Sequence, residues 1–201
     1  MEQRRLGRSG LKVSRMGLGT MTWGRDTDEH EARDQLIAFA DAGGTLVDTA
    51  AGYADGDSER LLGALMRDAI SRDDLVVATK GGISRRSGTR VVDVSRRTLL
   101  NELDESLRRL GTTHVDLWQL HTWSYDTELD ETLGALDAAV SSGRARYVGV
   151  SNYSGWETAR AATWQLAWPG RAPLVSTQVE YSLVERGVER EVVPAARELG
   201  L

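Results

Sequence analysis

Four side chains of different chemistry stand at or just past the ends of short apolar runs. Asp48 sits in Val47-Asp48-Thr49-Ala50, and Tyr53 lies five residues on in Gly52-Tyr53-Ala54-Asp55-Gly56. Lys80 ends a run in Ala78-Thr79-Lys80-Gly81-Gly82, and His121 ends Leu117-Trp118-Gln119-Leu120-His121. A free phenol titrates near pH ~10 and is a sluggish acid at neutral pH. An ammonium beside it favours the phenolate and makes the phenol a better proton donor. A carboxylate behind the ammonium holds it charged and oriented, and an imidazole opposite can position a carbonyl oxygen. Together the group suits polarising and protonating a carbonyl while hydride reaches carbon from elsewhere. No side chain donates hydride, so this chemistry implies a nicotinamide cofactor. Each residue alone has an ordinary structural use: a loop cap, a packing aromatic, a snorkelling lysine, a core imidazole. Their combination is what points to a site.

Composition sharpens the reading of Lys80. Lys12 and Lys80 are the only lysines among 25 basic residues, so Arg serves nearly everywhere a cation is needed. Arg cannot give up its proton or act as a compact point charge, which sets a retained Lys apart. The chain has 201 residues, 40% of them hydrophobic, and carries a net charge of −5, which excludes a disordered chain and argues against a nucleic-acid partner. No run of apolar residues is long enough to span a membrane, and no signal peptide follows Met1-Glu2-Gln3-Arg4-Arg5. The absence of Cys excludes disulfides and fits a cytoplasmic location.

Positioning these groups falls to a repeated element pattern. A hairpin is expected first, with Arg5-Leu6 and Lys12-Val13 flanking a turn at Gly7-Arg8-Ser9-Gly10. Short, mostly continuous apolar runs then occupy 16–20, 46–50, 75–80, 115–121, 145–151 and 175–181, as strands covered on both faces do. Between them lie helical repeats: Leu61, Leu62, Leu65 and Met66; Leu99, Leu103, Leu107 and Leu110; Leu129, Leu133, Leu136 and Val140. Ser154-x-x-Glu157 and Thr127-x-x-Asp130 read as capping boxes, and Gly43-Gly44, Gly111 and Gly143 as helix ends. Strand and helix in alternation mean stacked βα units. An open doubly wound sheet would place a Gly-rich phosphate loop after its first strand, but Gly17-Leu18-Gly19-Thr20-Met21-Thr22 does not fit one. Polar residues instead close several different strands: Thr20, Asp48, Lys80, His121, Ser151 and Gln178. That pattern favours a (β/α)8 TIM barrel, an α/β fold whose strand ends share one mouth. Residues 1–201 are then expected to form one partial barrel domain of about six βα units under an N-terminal hairpin cap, against the eight of a full barrel.

Several of these stretches resemble the aldo-keto reductases. They are Val47-Asp48-Thr49-Ala50 with Gly52-Tyr53, Ser58-Glu59-Arg60-Leu61-Leu62-Gly63, Ala78-Thr79-Lys80, Val115-Asp116-Leu117-Trp118-Gln119-Leu120-His121 and Gly149-Val150-Ser151-Asn152-Tyr153. The similarity runs from Leu6 to the end of the chain in both motif order and spacing. It implies a barrel that binds NADPH, less often NADH, in extended form and reduces aldehydes or ketones to alcohols. It further implies Tyr53 as general acid, Asp48 and Lys80 tuning it, and His121 orienting the carbonyl. Ser151, Asn152 and Gln178 match residues that hold the nicotinamide carboxamide, and Thr20 and Met21 match positions that touch the ribose. An amide needs both donors and acceptors, which Asn and Gln supply.

The same resemblance assigns phosphate recognition and an aromatic that stacks on the nicotinamide to two further βα units. These are expected beyond Leu201, so the chain as written is expected to bind NADPH weakly or not at all while a longer parent binds it well. Two other readings compete with a reductase: a cofactor-sensing regulatory subunit resembling channel β-subunits, and an inactive remnant. The partner expected is a small carbonyl substrate, with no nucleic acid and no membrane. Trp23 and Trp123 follow the first and fourth strands and either wall a pocket or pack loops. Trp164 and Trp168 are expected to face the core or a partner, and Arg85-Arg86 to lie in a solvated loop. His30 and His114 lack ligand-spaced companions, so no metal site is expected.

Overall fold

A computed structural model describes residues 1–86 and 88–201, the side chains of Arg85 and Arg86 excepted. The chain opens with an antiparallel hairpin of β1 (Gln3–Arg5) and β2 (Lys12–Ser14). Ser14 fixes it to the barrel floor. Its Oγ accepts from the backbone N–H of Thr45 and Leu46 at 2.9 and 3.1 Å, where the second barrel strand begins.

The βα succession follows. It comprises β3 (Gly17–Gly19), α1 (Glu29–Asp41), β4 (Leu46–Asp48), α2 (Asp57–Asp68) and β5 (Val76–Gly81). A second hairpin, β6 (Ile83–Arg86) with β7 (Thr89–Val92), then interrupts the pattern. The rest is α3 (Arg96–Leu110), β8 (Val115–Leu120), α4 (Leu129–Ser141), β9 (Ala145–Ser151), α5 (Gly155–Ala167), β10 (Leu174–Gln178) and α6 (Val192–Leu199). Six strands form one parallel sheet in the order β3-β4-β5-β8-β9-β10. The sheet is curled, with the helices outside, and forms part of a (β/α) barrel, as the strand-end pattern predicts.

Strand alternation decides what faces inward. Leu46 and Asp48 on β4, Ala78 on β5 and Leu117 and Gln119 on β8 line a 600 Å³ cavity inside the curl. The alternate residues Val47, Val77, Trp118 and Leu120 pack outward against the helices. α3 shows how each helix is built: Ser95 caps it by accepting from Thr98 N–H, and left-handed Gly111 ends it. Its Leu99, Leu103, Leu107 and Leu110 are buried against the sheet, each contributing about 1.5–3 kcal/mol. On α5 the capping box is complete, with Ser154 and Glu157 satisfying each other's backbone N–H groups.

Four expectations need correction. The Thr127-x-x-Asp130 box does not form: α4 starts one residue later, after Glu128, with no side-chain cap. Residues 84–86 and 89–90 are not a loop but strand residues of the β6–β7 hairpin, with Ile83 opposite Val92 and Ser84 opposite Val91; what the Arg85 and Arg86 side chains touch lies outside the described residues. The last strand ends at Gln178, and Tyr181 lies exposed beyond it. Of the core or partner expected for Trp164 and Trp168, the core is excluded, since they are 39% and 57% exposed. The Trp164 indole instead donates to Asp130 at 3.0 Å and lies under the Arg171 guanidinium. No described helix is long and apolar enough to cross a membrane.

Candidate active site

Asp48, Lys80 and His121 reach one place because alternation aims them all inward from neighbouring strand ends. Register pairs Asp48 with Ala78, two residues before Lys80, and pairs Gly81 with Leu120, just before His121. Lys80 is only 1% exposed and uses all three of its N–H donors. Nζ donates to Asp48 Oδ2 at 2.6 Å, to the Thr49 carbonyl at 3.0 Å and to the Tyr53 hydroxyl at 3.2 Å. Because the Tyr53 oxygen accepts from the ammonium, its own hydrogen is left free to point elsewhere. The other carboxylate oxygen, Asp48 Oδ1, is buried without a partner among the described residues. Its carboxylate is therefore committed to the ammonium.

Tyr53 is carried by a short 3-10 turn, Tyr53–Gly56, between β4 and α2. Ala51 N–H donates to the Lys80 carbonyl and Tyr53 N–H to the Ala50 carbonyl, which fastens the turn to β5. Ala54 and Asp55 both adopt left-handed φ, +46° and +54°, before Gly56 at +91°. A left-handed non-glycine residue costs about 1 kcal/mol, so the surroundings hold this turn against its local preference. Gly52 must be glycine, because a Cβ there would meet the Ile83 carbonyl oxygen at 2.6 Å. That close approach seats the β6–β7 hairpin against the tyrosine turn.

Beneath the turn, Ser58 and Glu59 serve as scaffold. Ser58 Oγ donates to the Thr20 carbonyl at 2.8 Å and bonds the Thr20 and Thr49 hydroxyls. Glu59 is fully buried and accepts from the Thr79 hydroxyl at 2.5 Å and from Arg109 Nε at 2.6 Å. A buried carboxylate paired in this way has little freedom to move.

His121 faces Tyr53 edge-on, with ring centroids 5.7 Å apart. Burial, then the charges of Lys80 and Arg90, lower its pKa to about 4. The imidazole is therefore neutral at pH 7. Nδ1 is buried without a partner among the described residues. A proton there would be an unsatisfied buried donor, so the favoured tautomer carries it on Nε2, where a ligand can accept it.

The remaining sequence candidates divide. Asn152 adopts a left-handed φ of +57°, and its Nδ2 donates to the His121 carbonyl at 2.9 Å and to Ser151 Oγ at 3.2 Å. Gln178 pairs with Ser151 across β9 and β10, and its carbonyl accepts from Asn152 N–H at 2.9 Å. The Gln178 side chain makes no hydrogen bond among the described residues, so its amide is available. Met21 is exposed beside Tyr53, His121 and Asn152. Thr20, however, is 0% exposed, with its hydroxyl turned to Ser58 and the Asp48 carbonyl. The Thr20 hydroxyl is therefore engaged in the scaffold. Trp23 is likewise fully buried, its indole donating to Gln35, so it is no pocket wall. Trp123 packs edge-on against Tyr125, Tyr153 and Trp156. No group of His, Cys, Asp or Glu among the described residues is arranged to hold a metal.

Above the tetrad a cavity of 310 Å³ opens, lined by Met21, Arg25, Gly52, Tyr53, Ile83, Arg90, His121 and Asn152. Three of its residues, Arg25, Ile83 and Arg90, were not singled out from sequence. The signal available for Arg90 was Gly88 between Ile83 and Val91-Val92, a turn residue flanked by β-formers.

Residues 15–201 match the model of the family described as the Aldo/keto reductase family. Among similar proteins, the oxidoreductase YrpG of Bacillus subtilis is 37% identical, over 100% of this chain and 64% of its own length. The aryl-alcohol dehydrogenase [NADP(+)] of Phanerodontia chrysosporium is 32% identical, over 92% of this chain and 52% of its own. The L-glyceraldehyde 3-phosphate reductase of Escherichia coli is 35% identical, over 94% of this chain and 56% of its own. The chain thus spans between 52% and 64% of the length of these relatives.

Proposed function

The chain belongs to the aldo/keto reductase family, and from that premise we propose that it carries the reductase chemistry: reduction of an aldehyde or ketone to the alcohol with NADPH, Tyr53 being the proton donor. The observation that carries this reading is the Lys80 ammonium, held by Asp48 and Thr49, donating its third hydrogen bond to the Tyr53 oxygen. When bound, a reduced nicotinamide supplies the hydride that no side chain can.

The groups available to hold its carboxamide are the Gln178 amide and Asn152 Oδ1, with Ser151 Oγ beside them; both Asn152 Nδ2 hydrogens are already given to the His121 carbonyl and Ser151 Oγ. They suit that group because a carboxamide both donates and accepts. NADPH is chosen over NADH in line with the relative named as an NADP(+) dehydrogenase.

The proton then follows from the geometry. The carbonyl oxygen lies between the Tyr53 hydroxyl and His121 Nε2–H, two donors that strengthen as negative charge develops on it. A hydride supplied to the carbonyl carbon would leave the C=O π electron pair on oxygen, and Tyr53 would give that oxygen its proton. The phenolate left behind is stabilised by the ammonium already bonded to it. His121 is neutral, so it holds the oxygen rather than protonating it. A compartment for the protein is proposed on the same footing: the cytoplasm, which a chain with no Cys fits.

The test is to mix the full chain with NADPH and a panel of aldehydes and ketones, following loss of nicotinamide absorbance and formation of alcohol. The expected result is one alcohol per NADPH consumed. Tight NADPH binding without turnover of any carbonyl would favour the cofactor-sensing reading instead.

A further inference from the structure

We propose that the site selects small carbonyl compounds bearing a carboxylate or phosphate group, and that Arg90 is the residue that recognises the anion. This rests on the reductase reading above and adds the class of substrate. The mouth cavity brings two guanidiniums, Arg25 and Arg90, to the Tyr53 hydroxyl and His121, and no Asp or Glu among the described residues lines it. Lys80 beneath is balanced by Asp48. Arg25 is paired with its neighbour Asp26, at 2.8 Å through Nε, which offsets its charge. Arg90 has no ion pair or hydrogen bond through its side chain among the described residues. The mouth is therefore positive on a chain whose net charge is −5.

An unpaired guanidinium in a cleft is a matched fork for a carboxylate or phosphate, and a positive cleft on an acidic surface gathers anions from solution. The Arg90 backbone is held in place, while its side chain is exposed. It sits on β7 opposite Arg85, and the hairpin is closed at its base by Asp93 N–H donating to the Gly82 carbonyl at 3.1 Å. On its other flank the Ile83 carbonyl presses on Gly52, one residue from Tyr53. Arg90 is close enough for its charge to act on His121. A cavity of 310 Å³ lies at the small end for a ligand site, about 300–1,000 Å³. The anion and the carbonyl must therefore be separated by a short linker.

Two measurements on the full chain separate this proposal from the one it rests on. The first compares kcat/KM for short-chain aldehydes that differ only in a terminal carboxylate, a phosphate or a neutral hydroxyl. The expected result is a preference for the anionic members. In Arg90→Ala that preference falls at least about tenfold, chiefly through KM, as loss of a charge-assisted fork requires, and Arg90→Lys restores part of it. Equal turnover of neutral and anionic members overturns the proposal and leaves the reductase reading standing. So does a rise in the KM for NADPH in Arg90→Ala with the substrate KM unmoved, since that assigns Arg90 to the cofactor.

The second measurement needs no turnover. Ring signals of His121 are followed by NMR during titration with acetate or inorganic phosphate, against chloride at equal ionic strength. A saturable shift lost in Arg90→Ala supports the anion site even if no carbonyl is reduced, and chloride reproducing the shift refutes it.

Discussion

Replacing Lys80 by Met is the perturbation that bears most directly on how the site is held together. The substitution removes an ammonium that is 1% exposed and makes three hydrogen bonds. It strands Asp48, whose side chain is 17% exposed and whose Oδ1 already lacks a partner. Removing one member of a buried ion pair costs about 3–5 kcal/mol. The partial exposure of Asp48 places Lys80→Met at the low end, about 3 kcal/mol, once screening is allowed for. Asp48→Ala strands the ammonium instead. It keeps the Thr49 and Tyr53 acceptors, which brings its loss to a similar figure of about 3 kcal/mol. The double variant strands neither charge, so its loss is far below the sum of the singles. The coupling energy is then about 3 kcal/mol, against the ~0.5 kcal/mol within which independent sites add. Urea unfolding of the four proteins, with equal slopes, measures it. Additive singles, or a Lys80→Met loss below about 1 kcal/mol, would refute the claim that this pair organises the site.

Two further outcomes follow from the same geometry. His121 has a folded-state pKa of about 4 against an ordinary value of 6.5, so the unfolded chain binds more protons between these values. Stability from this group is full above pH ~6.5 and is lost as pH falls towards 4, by about 3 kcal/mol in total; NMR titration of His121 and unfolding of His121→Gln across that window check it, and an NMR midpoint near 6.5 would contradict it. Ala54 sits at φ +46°, so Ala54→Gly, normally destabilising, is expected to stabilise by about 0.5–1 kcal/mol; a drop in the urea midpoint would show that the turn is unstrained.

Much of the architecture was legible because strand ends leave a chemical trace. Asp48, Lys80 and His121 each close an apolar run at an inward-facing position, so type and alternation together place them. Ser154 and Glu157 announce their helix because a capping box is a local, reciprocal interaction. Other features depend on contacts that spacing does not encode. Thr20 has the right type at the right strand end, yet Ser58, brought under it by α2, captures its hydroxyl. Thr127 and Asp130 have the capping pattern, but the helix begins a residue later and the hydroxyl is unused. Trp164 sits at helical spacing with Trp168, but the partner of its indole, Asp130, comes from α4. Arg90 was hidden because residues 84–90 are rich in Ser, Arg and Gly, the composition of a solvated loop; only the fold shows that the hairpin leans Ile83 and Arg90 over Tyr53.

The central claim is that Tyr53, bonded by the Lys80 ammonium, gives the proton while neutral His121 positions the oxygen. Single-turnover reduction of a good aldehyde by the full chain with saturating NADPH at pH 7, comparing Tyr53→Phe with His121→Gln, tests it most directly. The account predicts that Tyr53→Phe lowers the rate by about 10²–10⁴-fold with NADPH binding intact, and that His121→Gln lowers it less and acts mainly on KM. A Tyr53→Phe protein that reduces the aldehyde at the wild-type rate, with His121→Gln inactive, would contradict it.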